Sequence, residues 1–328
     1  MAGAWTVREL GEPGTVLRWE DMPVPLPAAG QLRVRVEAAS CNFADVLLCR
    51  GAYQHKPDPP FTPGLEMCGV VDAVGRRVDP ALQGALVVGQ PVLPHGGFAE
   101  LALMESVDAL AVPSGIDQTS AATLHLTYLT AWLGLHRRAA VQPGSVVVVT
   151  AAAGGVGSAA VQLARAAGAR VVGIASGPAK VDTVRRLGAE LAIDGADADV
   201  VATVREFAPT GADIVFDPVG GAAYESATKY VAFEGTIVVV GFASGTIPAP
   251  RLNHPFVKNY TIAGLHWALY RQYHPDLIAK AQSEIFALAL AGTITPLITR
   301  CVGIDGVPSA LEDLAHGRTQ GKTVIRQP

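Results

Sequence analysis

Residues 145–157 constrain this chain more than any other stretch. Ser145 is followed by Val146, Val147, Val148, Val149 and Thr150, a β-branched run that ends in Ala151-Ala152-Ala153-Gly154-Gly155-Val156-Gly157. From Ser158 to Ala167 the residues are helix formers. A strand, a tight glycine turn and a helix start, in that order, suit a turn that holds a pyrophosphate. Glycine lets the backbone approach the phosphates, and the first helical N–H groups carry the positive end of the helix dipole. The strict Gly-x-Gly-x-x-Gly spacing would need glycine at 152, 154 and 157, and position 152 is Ala152. An ordinary βα turn is therefore the competing reading, and the flanking sequence has to decide between the two.

The flanks favour a nucleotide. After Asp117 the chain becomes a regular alternation. Expected strands 145–149, 170–175, 190–193, 212–217, 236–241 and 260–265 are separated by helical stretches near 179–187, 198–207 and 221–231 and by a loop at 242–258. Strand and helix recurring at that spacing specify a parallel, doubly wound sheet. Before residue 122 the pattern is different. Gln31 to Glu37 alternates with period two, segments 69–75 and 97–103 are bounded by glycine, and prolines at 57, 59, 60, 63, 80, 91, 94 and 113 argue against long helices. That part reads as an antiparallel, barrel-like domain. The expected division is 1–122 for a catalytic domain, 123–265 for the nucleotide-binding domain, and 266–328 for a C-terminal segment that completes the first. A helix over 275–291 and a final strand over 322–326 belong to that segment.

Composition removes several functions. Half of the 328 residues are hydrophobic and 16% are charged, with a mean hydropathy of +0.31. Yet the apolar runs are broken by Gly, Pro, His or Thr before the ~20 residues needed to span a bilayer. Arg8 and Glu9 stand where a secretory leader would need its apolar centre, so a cytoplasmic location is expected. The net charge of −4 and the thin spread of Lys and Arg offer no basic tract for nucleic acid or anionic lipid. Cys41, Cys49, Cys68 and Cys301 contain no C-x-x-C pair, so neither a disulfide framework nor a structural zinc site is written here.

In this fold an acid at the end of the second strand bonds the ribose 2′-hydroxyl and selects NAD. Here Val171 to Ala175 run into Ser176-Gly177-Pro178-Ala179-Lys180, with no acid before Asp182. A hydroxyl at Ser176 and an ammonium at Lys180 suit a 2′-phosphate, so NADPH is the expected cofactor.

Four segments carry a family resemblance: Cys41-Asn42-Phe43-Ala44-Asp45 followed by Arg50-Gly51-Ala52-Tyr53; Pro63-Gly64-Leu65-Glu66; Ala151 to Gly157; and Val215 to Gly220. With the closing Gly321-Lys322-Thr323-Val324-Ile325, the chain resembles the zinc-independent, ζ-crystallin-like quinone oxidoreductases of the medium-chain dehydrogenase/reductase superfamily. The resemblance implies an α/β fold: a GroES-like antiparallel β-barrel catalytic domain beside a doubly wound, six-stranded parallel Rossmann domain. The zinc-dependent members have Cys where Asn42 stands and Gly-His-Glu where Gly64-Leu65-Glu66 stands. Leucine cannot bind a metal, and a catalytic zinc needs three protein ligands, so no metal is expected. Without one, the natural hydride acceptors are conjugated carbonyls, whose negative charge delocalises.

The same resemblance implies roles for particular residues. Tyr53 matches a tyrosine assigned as proton donor in related enoyl reductases. A phenol with pKa near ~10 is protonated at neutral pH and can serve an enolate, although Tyr53 would equally serve as an aromatic wall. Asn42 would bond the nicotinamide ribose or the substrate carbonyl, as a catalytic and cofactor-binding residue. Thr130 would hold the carboxamide. Ala153, Gly154, Gly155, Val156 and Gly157 would line the pyrophosphate, and Ser176 and Lys180 the 2′-phosphate. Gly241, Phe242, Ala243 and Lys322 would complete the cofactor contacts. Glu66 is the carboxylate near this site whose expected task is a structural hydrogen bond. Gly195 replaces a tyrosine that stacks on adenine in some relatives. A homodimer through the Rossmann domain is implied, with Tyr260 to Leu265 and Trp267-Ala268-Leu269 at the sheet edge. Two rivals stay open: an enoyl-thioester or alkenal reductase on the same scaffold, and an NADPH-binding structural or RNA-binding protein with little turnover. The acidic balance argues against RNA.

Overall fold

The computed structural model of the protein describes residues 1–327. Its strands, in chain order, are β1 Ala2–Val7, β2 Leu17–Met22, β3 Gln31–Ser40, β4 Met67–Val74, β5 Leu86–Gly89, β6 Leu101–Glu105, β7 Leu110–Ala111, β8 Val146–Val149, β9 Arg170–Ala175, β10 Leu191–Asp194, β11 Ala212–Asp217, β12 Val231–Val239, β13 Thr261–Gly264, β14 Ile298–Gly303 and β15 Lys322–Arg326. The chain divides into two compact units. One comprises Met1–Leu126, His274–Leu290 and the residues from Ile298 onward. The other comprises Thr127–Tyr273 and Ala291–Leu297. Residues 266–273 and 291–297 thus fold with the second unit.

The first unit is built on a sheet ordered β14-β15-β3-β4-β5-β7, with β6 also paired to β3. Every pairing is antiparallel except β14 with β15. Its organiser is β3. Leu32, Val34 and Val36 are buried on one face while their neighbours are half-buried or exposed, as the period-two pattern dictates. The core behind it takes in Met67, Phe61, Phe98, Met104, Leu311 and Ile325. Register decides what meets at one end of this sheet. Val324 lies opposite Ser40 on the β15–β3 side, and Ala39 lies opposite Met67 on the β3–β4 side. Continued by one or two residues, that register sets Lys322 beside Asn42 and Ser40 beside Glu66. Backbone bonds from Cys41 N to Thr323 O (3.0 Å) and Ser40 N to Glu66 O (3.1 Å) carry the pairing through. Ahead of the proline cluster the chain also forms a helix, α1 Phe43–Cys49.

The second unit is a six-stranded sheet ordered β10-β9-β8-β11-β12-β13, parallel throughout. That is the doubly wound dinucleotide order, with the glycine turn following the central strand β8. Val147, Val148 and Val149 have no exposed surface, as a strand covered on both faces requires. The crossover helices are α2 Gly155–Ala166, α3 Pro178–Arg186, α4 Val200–Phe207 and α5 Gly221–Tyr230. β12 begins at Val231, five residues before the expected start, and the expected loop at 242–258 ends in a short helix, Asn253–Lys258.

Candidate active site

In the second unit, the loops after the parallel strands meet at their C-terminal ends. Ala151 adopts a left-handed backbone (φ 47°), and Gly157 passes so close to it that a Cβ there would lie 2.2 Å from the Ala151 carbonyl oxygen. No side chain fits at 157, so the helix start is pressed against the turn. The N-cap of α2 is Gly154, which contributes no side-chain cap. The N–H groups of Gly155, Val156 and Gly157 therefore point out of the first turn without an intrahelical acceptor, which suits an anionic group. Ala153 is buried beside them.

One buried carboxylate ties these loops together. Asp217, at the end of β11, is 1% exposed. Its Oδ1 accepts from Thr150 Oγ1 (2.7 Å), Val219 N (2.9 Å) and Gly220 N (3.2 Å). Its carbonyl takes Val240 N (2.9 Å), and Ala243 N reaches Pro218 O (3.1 Å). The glycine turn and the Gly241-Phe242-Ala243 loop are thus both fastened to residues 217–218. The sequence showed Asp217 only as a family marker; its role as a fastener needed the fold.

At the end of β9, Ser176 is exposed and Lys180 half-buried in the first turns of α3. The Gly177 N–H between them donates to Asp194 Oδ1 (3.0 Å), which also takes Ala196 N (3.1 Å). These backbone bonds hold the Asp194 carboxyl below the usual range. No acid stands between β9 and Asp182 in sequence, yet β10 delivers Asp194 to the base of the same turn, where it accepts backbone donors. Gly195 follows directly. Thr130 is buried in the helix Leu126–Trp132.

In the first unit, α1 places two expected site residues at its two ends. Asn42 is the N-cap, in extended backbone. Asp45, three residues on, accepts the Asn42 N–H on Oδ2 (2.8 Å) and the N–H groups of Gly64 (3.0 Å) and Leu65 (2.9 Å) on Oδ1. Tyr53 follows the turn that closes the helix. Gly51 N and Ala52 N bond back to Leu48 O and Leu47 O, and Tyr53 packs half-buried against the core.

Asn42 meets two partners that the sequence did not pair with it. Lys322 Nζ lies 2.6 Å from Asn42 Oδ1 and 3.2 Å from Glu66 Oε2, and the Lys322 and Glu66 side chains are 4% and 0% exposed. Asn42 Nδ2 donates to Ser40 O (3.1 Å) and Glu66 Oε2 (3.1 Å). The Ser40 hydroxyl also bonds Glu66 Oε2, and Oε1 accepts His125 N (3.2 Å) and Leu126 N (2.7 Å). Burial pushes the Glu66 carboxyl up, but the Lys322 ammonium and the Ser40 and Asn42 bonds outweigh it and hold it below the usual range. Both Asn42 N–H donors are used inside the protein, so the atom that Asn42 can offer a ligand is its oxygen. Lys322, expected among the cofactor contacts, turns its ammonium into this cluster.

A metal does not fit here. Leu65 is core (1% exposed), an ammonium lies against Asn42, and among the described residues no group of three or more His, Cys, Asp or Glu side chains is arranged to hold an ion.

Comparison with known proteins identifies the family. The alcohol dehydrogenase GroES-like domain family matches residues 28–114, and the zinc-binding dehydrogenase family matches residues 155–283. A quinone oxidoreductase-like protein 2 homolog from Nematostella vectensis is 37% identical over 298 residues, covering 90% of this chain and 81% of that protein. The chain belongs to the zinc-independent quinone oxidoreductase branch of the medium-chain dehydrogenase/reductase superfamily. The family is one of oxidoreductases, and its two-domain α/β fold is the one seen here. Among solved structures, Escherichia coli quinone oxidoreductase complexed with NADPH superposes with a TM-score of 0.92 at 26% identity, covering 99% of this chain and 100% of the other. A mycobacterial protein complexed with NADPH gives a TM-score of 0.92 at 29% identity, with the same coverage.

Proposed function

We propose that this chain is an NADPH-dependent, zinc-independent reductase that delivers hydride to a quinone or another conjugated carbonyl. The observation that carries the reading is the Asn42–Lys322–Glu66 cluster, a closed set of hydrogen bonds around two of the positions that the family resemblance aligns with zinc ligands. Without a Lewis acid at the carbonyl, the acceptor has to spread its own developing charge, as quinones and enones do. NADPH supplies the hydride. The protein's part is to bind and orient it: the α2 N-terminus and glycine turn for the pyrophosphate, Ser176 and Lys180 for the 2′-phosphate, Thr130 and the 241–243 loop alongside, and the Asn42 oxygen for a hydroxyl donor. The NADPH complexes among its structural neighbours support the choice of cofactor.

Tyr53 is the proton donor in this reading when the product is an enolate. Tyr53→Phe keeps the ring and removes the phenol. Enone turnover is expected to fall by the ~10²–10⁴ typical of general acid catalysis. Quinone turnover should change less than about ten-fold, because a hydroquinone anion takes its proton from water. Steady-state kinetics on a small quinone, an enone and an enoyl thioester make the test. No turnover of any of them overturns the reading, and equal rates in Tyr53→Phe remove the donor role.

The active form in this reading is a cytoplasmic homodimer through the second unit. No helix among the described residues is long and apolar enough to cross a membrane. The last strand β13 is an edge, and Phe233, Leu252, Phe256 and Val257 are each about 70–80% exposed in the same unit. Tyr260 and Trp267, expected at that edge, are instead buried.

A further inference from the structure

We propose that Lys322 is the positioning residue for Asn42, fixing which end of the Asn42 amide a ligand meets. This inference rests on the proposed reductase reading, in which the Asn42 oxygen meets the cofactor.

A carboxylate buried as deeply as Glu66 needs a cation beside it. Here one strand of the chain brings its own cation, through the register of β15 against β3. Gly321, with a left-handed backbone (φ 52°), turns the chain into that strand immediately before Lys322. The Glu66 oxygens already accept five donors: the Ser40 hydroxyl, Asn42 Nδ2, Lys322 Nζ, and the N–H groups of His125 and Leu126. A carboxylate has about four lone-pair sites, so the site is closed to another ligand.

The consequence for Asn42 is directional. An amide can be turned end for end with little change of shape, and its surroundings decide which end is oxygen. Turned over here, the NH2 would face the Lys322 ammonium, donor against donor. The carbonyl would face the Ser40 carbonyl and the Glu66 carboxylate, acceptor against acceptor. All three observed bonds would be lost. Glu66 and Ser40 hold the nitrogen and Lys322 holds the oxygen, so Asn42 presents an acceptor and never a donor.

The test separates positioning from mere stability. Lys322→Met alone leaves Glu66 buried without its cation and should lower the melting temperature. K322M/E66Q removes both charges, and a buried ion pair replaced by uncharged groups is often close to neutral, so that double variant should recover most of the melting temperature. Its NADPH dissociation constant should nevertheless be raised about ten-fold, as in Asn42→Ala, and adding N42A to the double variant should cost nothing more. A double variant with parental melting temperature, parental NADPH affinity and parental kcat would overturn the proposal. So would an undiminished effect of N42A in that background.

A measurement on the unaltered chain stands if the variants fail to fold. The protein has three asparagines, Asn42, Asn253 and Asn259, and only Asn42 is buried. With asparagine labelled by nitrogen-15, its side-chain NH2 pair, assigned by N42D, should exchange with solvent at least ten-fold more slowly than the other two. Equal exchange would overturn the locked amide. Failure of the parent chain to reduce any acceptor would sink the reductase reading and leave this amide result standing.

Discussion

Asp45 makes a prediction in which the sign is as informative as the size. Its carboxyl is fully buried and serves three backbone N–H groups, those of Asn42, Gly64 and Leu65. Burial nevertheless wins: it raises the carboxyl from an ordinary 3.8 to about 6, against those three bonds. Between these two values the folded chain holds a proton that the unfolded chain has released. Stability therefore falls as pH rises through this window, by about 1.4 kcal/mol per unit and roughly 3 kcal/mol in all. This contribution is fully present below about 3.8 and gone above about 6. Glu66 acts in the opposite direction, since its lowered carboxyl loses stability only as pH falls below its ordinary 4.5.

Asp45→Asn isolates the Asp45 term, because Glu66 is common to both proteins. The amide oxygen can still serve Gly64 and Leu65, but its NH2 faces the Asn42 N–H, which at pH 4 costs about 1–3 kcal/mol. The variant should thus be the less stable protein at pH 4, and the gap should close or reverse by pH 7. Urea unfolding between pH 4 and 7 measures this. Near-UV circular dichroism is a suitable signal, because the edge-to-face pair Trp5–Trp19 (5.8 Å between centroids) lies in the same unit. Two parallel stability curves would refute the reasoning, since they would mean that Asp45 titrates alike in both states.

Two further outcomes follow from the second unit. Lys180→Ala should weaken NADPH about ten-fold or more, the worth of one charge-assisted contact, and leave NADH unchanged; calorimetric titration with both dinucleotides checks this, and an unaltered ratio would remove Lys180 from the phosphate site. The chain should sediment as a dimer at micromolar concentration and Phe256→Asp as a monomer, whereas a monomeric parent would refute pairing through this unit.

Much of this protein was legible along the chain. The six expected strands, their spacing and the turn at 151–157 led to a doubly wound sheet, because hydrophobic period and turn chemistry are written within a few residues of where they act. The expectation that no catalytic zinc is held was equally local: Leu65 offers no metal donor, whatever surrounds it. Some boundaries were not legible. β12 reaches back to Val231 because it pairs with Ala212 across an irregular register, with Glu234 in a left-handed backbone, and no local propensity announces such a pairing. The polar sites belong wholly to tertiary structure. Lys322 meets Asn42 across 280 positions and Glu66 across 256, Asp217 reaches Thr150 across 67, and Asp194 reaches Gly177 across 17. The family resemblance names Asn42, Glu66 and Lys322 one at a time, and nothing in the sequence pairs them. Strand register brings them into contact, and burial then makes the contact consequential, because a charge taken out of water must find its partner inside the fold.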